Sequence, residues 1–153
     1  MATLEEQVTE LLDREAIRAL PGRYCRAVWD QDPDAFAGLF AEQGVLAISG
    51  TAISRTITGR VNLRAMIANS MDSRPPGPLV HNQVVDMVDE AHAVGDAYVE
   101  VLGRTAGYAR TAIAHYRDQY VKVSGLWLFE RRDLRFLSVS PAIASAYAAN
   151  EAQ

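Results

Sequence analysis

Between Leu79 and Val139 the chain offers four strand-like runs, Leu79 to Val88, Ala91 to Arg104, Tyr108 to Val123 and Leu126 to Val139. They are parted only by Asp89-Glu90, Thr105-Ala106-Gly107 and Ser124-Gly125. Links this short join antiparallel neighbours, because a parallel pair needs a crossover of about a dozen residues or more. The back half is therefore expected to be an antiparallel sheet, residues 79-139.

The front half has a different period. Leu4, Val8, Leu11, Leu12, Ile17 and Leu20 recur at three- and four-residue steps, which predicts an amphipathic helix. Pro21-Gly22 then predicts a kink or a break, with helical spacing resuming through Tyr24, Ala27 and Val28 to Asp30. Asp32-Pro33-Asp34 reads as a helix start, with Asp32 as cap, and predicts a second helix from Ala35 to Glu42. The spacing assigns residues 1-43 to helix and 44-59 to strands, with Val45 to Ile48 and Ile53 to Thr58 flanking a turn at Ser49-Gly50. Residues 60-72 form a third helix. Ser73-Arg74-Pro75-Pro76-Gly77-Pro78 carries three prolines in four positions and predicts a loop, a candidate lid. An Ala-rich tail, 142-153, follows the sheet. Helices first and a sheet afterwards is the α+β pattern, helices on one face of the sheet, in one domain of 153 residues.

Composition narrows the partners. With 15 Lys and Arg against 19 Asp and Glu, the net charge of −4 gives no footprint for nucleic acid. Arg131, Arg132 and Arg135 cluster, and a solvated strand end explains them as well as a ligand does. No apolar run approaches the roughly 20 residues of a membrane span, the acidic start lacks the features of a signal peptide, and the lone Cys25 favours a reducing compartment. A cytoplasmic location and no membrane partner are expected. No paired Cys/His spacing of a zinc site is present in the sequence, nor a phosphate-binding glycine loop. The expectation is no metal and no cofactor.

Asp30 ends the first helical segment, where a carboxylate meets the unfavourable end of the helix dipole. It is either a solvated acid or a carboxylate paired with a histidine. Such a pair fixes the imidazole tautomer and makes the other ring nitrogen a general base. Of the three histidines, His92 falls in a turn, while His81 and His115 fall inside strands. His81 shares a strand face with Gln83, Val85 and Met87, opposite Val80, Asn82, Val84 and Asp86, and both faces are mixed. Tyr24, Tyr116 and Tyr120 are candidates to polarise a carbonyl, or else core residues with one polar end. Cys25 lacks a neighbouring base motif.

The run Asp13-Arg14-Glu15-Ala16-Ile17 through Arg23-Tyr24 to Asp30-Gln31-Asp32 and Leu39-Phe40 resembles the opening of the SnoaL-like family of the nuclear transport factor 2 superfamily. Val80-His81-Asn82 looks like that family's histidine-bearing strand, and Tyr116 to Tyr120 with Gly125-Leu126-Trp127 looks like its closing hairpin. The resemblance extends over nearly the whole chain. It implies a cone-shaped half-barrel with a pocket under the helices and a scytalone dehydratase, bile-acid dehydratase or hexachlorocyclohexane dehydrochlorinase type of chemistry. Asp30, His81 and Tyr24 would then be catalytic, and Tyr116, Tyr120, His115 and Trp29 would contact substrate. The implied function is a cofactor-independent lyase or isomerase acting on a small apolar cyclic compound, such as an aromatic, steroid or polyketide-like one. The alternative is a non-catalytic small-ligand-binding or assembly domain. A homo-oligomer, dimer or trimer, is expected as well, through an open sheet face bearing Trp127, Phe129, Leu134, Phe136 and Leu137.

Overall fold

The computed structural model describes residues 1–50, 53–70, 74–105, 107–141 and 144–145. Ser73 of the expected lid and most of the expected tail lie outside them.

Helix α1 (Leu4–Asp30) starts at a reciprocal cap, in which the Glu6 amide donates to Thr3 Oγ1 and the Thr3 amide to Glu6 Oε2. It ends where Gln31 turns left-handed at φ 52°. Pro21 sits buried inside one continuous helix, so of the two expected readings the single long helix holds and the break does not. The face carrying Ile17, Leu20, Tyr24 and Ala27 packs on the sheet, whereas Leu4, Val8, Leu11 and Leu12 are exposed. The early apolar residues therefore do not belong to the core-facing stripe that their spacing suggests.

Asp32 caps α2 (Pro33–Gly38) through the amides of Asp34 and Ala35. This helix ends sooner than expected, because β1 (Phe40–Gly50) begins at Phe40, which pairs with Phe129. Then follow β2 (Ile53–Thr58), α3 (Arg60–Asn69), β3 (Gly77–Met87), β4 (His92–Gly103), β5 (Ala109–Val123) and β6 (Leu126–Val139). The strands form one curved, unclosed sheet in the order β2-β1-β6-β5-β4-β3. The last four form the expected meander, but β1 pairs with β6 in parallel, a contact that the long excursion between them permits. Gly77 and Pro78, expected in a loop, already pair with Leu102 and Val101. Proline is tolerated there because β3 is an edge strand.

That edge is covered by α1: the Trp29 indole N–H donates to the Pro78 carbonyl at 2.8 Å, and Arg14 Nη1 to the Val85 carbonyl at 2.9 Å. One residue before Arg14, Asp13 ties α1 to β5 and β6, accepting from Lys122 Nζ and Trp127 Nε1, each at 2.8 Å. Among the described residues no helix is long and apolar enough to cross a membrane.

The sheet's inner face, under α1, holds the core. Trp127, Phe129, Leu134 and Phe136 are buried there, and only Leu137 of that expected surface set is exposed. These buried side chains are therefore not available to an oligomer interface: each buried aromatic ring gains about 1.5 to 3 kcal/mol from leaving water, and they have left it within one chain.

Candidate functional site

Strand alternation turns Tyr116, Asp118 and Tyr120 of β5 toward α1. On β6 a register shift opposite Gln119 and Tyr120 inserts one residue, so that Phe129 and Arg132 both face inward where simple alternation would have paired Phe129 with Arg131. Arg132, for which a solvated strand end and a ligand contact were equally open, is fully buried. Its Nε and Nη2 donate to the two oxygens of buried Asp118 at 2.8 and 2.7 Å, a bidentate pair. The Tyr120 hydroxyl donates to the same carboxylate at 2.9 Å. Three rings enclose the guanidinium, with its carbon 3.7 Å from the Tyr116 centroid, 4.3 Å from Phe129 and 4.4 Å from Tyr24.

One donor in this interior is unspent: Arg132 Nη1 has no hydrogen-bond partner. The Gln83 amide lies against the Tyr120 phenol. Burial alone would disfavour the charge on Arg132, but Asp118 and the nearby phenols outweigh it and hold the group more firmly protonated than a free arginine. Burial, reinforced by Tyr24 for Tyr116 and by Asp118 for Tyr120, pushes both phenols well above their ordinary range. At neutral pH the interior thus presents fixed cationic and neutral donors, and its one carboxylate is already occupied. Such a constellation accepts an electron-rich oxygen; it does not itself supply a base.

Cys25 lies beside this cluster. Burial, only partly opposed by the Arg132 charge, pushes its thiol up to about 11. An unreactive thiol is the consequence: iodoacetamide at mildly alkaline pH should label it only after unfolding. Because the folded value stands above the reference 9.0, this group's contribution to stability is whole below pH 9 and falls as pH rises toward about 11. Urea midpoints measured across that interval check the sign.

The expected acid–base pair is not assembled. Asp30 is exposed, one residue beyond Trp29, which turns inward. His81 faces outward, because Asn82 adopts φ 50° at a break in the β3–β4 register, placing Val80, Gln83 and Val85 on the inner side and His81 on the outer. There His81 Nε2 meets Glu100 Oε2 at 3.1 Å, not Asp30. His115 also lies on the outer face, against Tyr98 and 3.5 Å from Asp96. His92 is exposed and paired with Asp89. Tyr24, Tyr116 and Tyr120 do come together in the interior. Trp29 closes its end, stacked on Tyr108 and lying under Arg104, whose Nη2 donates to the Val28 carbonyl at 2.6 Å. An open groove of about 320 Å³ lies elsewhere, between β2 and α3, lined by Arg55, Thr58, Asn62 and Met66.

This geometry has relatives. No curated protein matches the chain. Among solved structures, an NTF2-like protein with a cystatin-like fold from Novosphingobium aromaticivorans superposes with a TM-score of 0.77 at 22% identity, covering 95% of this chain and 97% of that one. Rv3472 from Mycobacterium tuberculosis, a protein of unknown function, gives 0.74 at 28% identity, over 97% of this chain and 81% of its own. Hexachlorocyclohexane dehydrochlorinase LinA-type3 from Novosphingobium barchaimii gives 0.74 at 19% identity, over 88% and 93%. The SnoaL-like domain model matches residues 9–133, most of the length, and the chain belongs to that family.

Proposed function

We propose that this chain binds a small, largely apolar cyclic molecule carrying a hydrogen-bond-accepting oxygen, in the interior between α1 and the sheet. The observation that carries the reading is Arg132 Nη1, a cationic donor that is fully buried, ringed by aromatics and without a partner. Leaving such a donor unpaired costs about 1 to 3 kcal/mol or more, and a ligand oxygen would recover it. Tyr24, Tyr116 and Phe129 offer aromatic surface to a ring, and the Arg132–Asp118 pair, neutral overall, suits an uncharged carbonyl or phenol better than a carboxylate. An aromatic, steroid or polyketide-like compound has these properties. Calorimetric titration with acetophenone and with estrone tests this: saturable binding with a negative heat-capacity change is expected, and folded protein that binds neither overturns it.

A second reading, a cofactor-independent lyase or isomerase, is favoured by the likeness to a dehydrochlorinase and by the same donor. Arg132 would stabilise negative charge growing on a carbonyl oxygen as the neighbouring carbon loses its proton. Asp30 and His81 are the proposed proton-transfer pair in that reading, and His81 would have to turn from the outer to the inner side of β3. Deuterium exchange from solvent into the α-carbon of a bound ketone reads this step directly. Exchange abolished by His81→Ala and by Asp30→Asn supports catalysis, and its absence in wild type leaves the binding reading alone.

A further inference from the structure

At the end of the interior that Trp29 closes, a second arginine holds a donor to spare. Arg104 follows the last residue of β4, lays its guanidinium carbon 4.7 Å from the indole centroid and donates from Nη2 to the Val28 carbonyl at 2.6 Å. Its Nε is buried and has no hydrogen-bond partner. A buried donor left in that state is costly, and a ligand oxygen would recover the loss.

The surroundings of Arg104 say which oxygen. Helix α1 has no basic residue in its last turn, and its final carbonyls carry a partial negative charge. Arg104, reaching over from the sheet, supplies the missing cation. Among the described residues no carboxylate pairs with it, whereas Arg110 has Glu100 and Arg132 has Asp118. A carboxylate brought to this place would meet the negative helix end as well as the arginine; an uncharged hydroxyl meets the donor without that opposition.

The two arginines also share one stretch of α1. Arg132 lies against the Tyr24 ring, and Arg104 holds the carbonyl of Val28, one turn on and about 6 Å further along the axis. Val28 and Val101, the latter paired with the Pro78 that Trp29 binds, add apolar surface on the Arg104 side.

We infer that Arg104 is a second, specificity-determining anchor, and that the ligand carries two oxygens: a carbonyl held by Arg132 and, more than one helical turn away, a hydroxyl held by Arg104 Nε. This assignment rests on the proposed binding at Arg132. It narrows the ligand class to rigid polycyclic compounds oxygenated at both ends, such as hydroxylated steroids; a one-ring ketone such as acetophenone engages the first donor alone.

Equilibrium dialysis of the full chain with tritiated estrone, competed by 3-deoxyestrone, tests it. The deoxy compound keeps the ketone, lacks the hydroxyl and is the more apolar of the two, so transfer from water alone favours it. Wild type is nevertheless expected to bind estrone at least about tenfold more tightly. In Arg104→Met that preference should shrink below about threefold, a coupling between one donor and one ligand oxygen that a merely structural arginine does not produce. The wild-type comparison needs no variant, so it decides even where Arg104→Met fails to fold. Equal binding of the two steroids by wild type overturns the inference, as does a preference that Arg104→Met retains; in either case bound 3-deoxyestrone leaves the Arg132 reading standing. A folded wild type that binds neither steroid overturns both.

Discussion

Arg132→Met should destabilise the domain by about 3 to 5 kcal/mol, because it strands the buried Asp118 carboxylate without its bidentate partner. Tyr120 alone then remains to hold a charge from which water is excluded. Replacing both members, Arg132→Met with Asp118→Leu, should recover most of that loss, since apolar side chains of similar volume can fill the space among Tyr24, Tyr116 and Phe129. Urea denaturation followed by circular dichroism measures both. A loss below about 1 kcal/mol for the single replacement would mean that the pair is solvated, as a surface ion pair is.

Trp29→Ala should cost about 2 to 4 kcal/mol, somewhat less than a fully buried tryptophan because the ring is only half buried. It removes three contacts at once: the hydrogen bond to the Pro78 carbonyl, the seat for the Arg104 guanidinium and the stack with Tyr108. Trp29→Phe keeps a ring and should lose about 1 kcal/mol, chiefly that of the indole hydrogen bond. Equal losses in the two variants would show that ring packing contributes little there. The fit is close on the strand side as well, where a Cβ on Gly77 would overlap the indole.

Short turns between long alternating runs made the last four strands legible, and Asp32-Pro33-Asp34 announced the start of α2, because both signals are local. The parallel β1–β6 pair was not legible, since it joins segments with most of the chain between them. The buried Arg132–Asp118 cluster was not legible because of phase. In β6 the buried apolar residues fall on odd positions at Trp127 and Phe129, then on even ones at Leu134 and Phe136. That change of phase is visible in the sequence and implies an inserted residue, which brings Arg132 inward. Tyr116-Arg117-Asp118-Gln119-Tyr120 likewise places a carboxylate between two tyrosines on one face, the companion signal. In β3 the bend at Asn82 reassigns every following side chain, so alternation counted straight through it puts His81 with Gln83 when they lie on opposite sides. Asp30 differs from Trp29 by one residue of helix, a rotation of about 100° that separates solvent from interior.

The proposed binding function resides in the buried arginine and not in the acid–histidine pair. Calorimetric binding of estrone and acetophenone should be compared across wild type, the Asp30→Asn/His81→Ala double variant and the Arg132→Met/Asp118→Leu double variant, each verified as folded. The account predicts the same affinity for the first two and at least roughly tenfold weaker binding for the third, which has lost its cationic donor. Binding that survives in the arginine variant, or vanishes with Asp30 and His81, would contradict it.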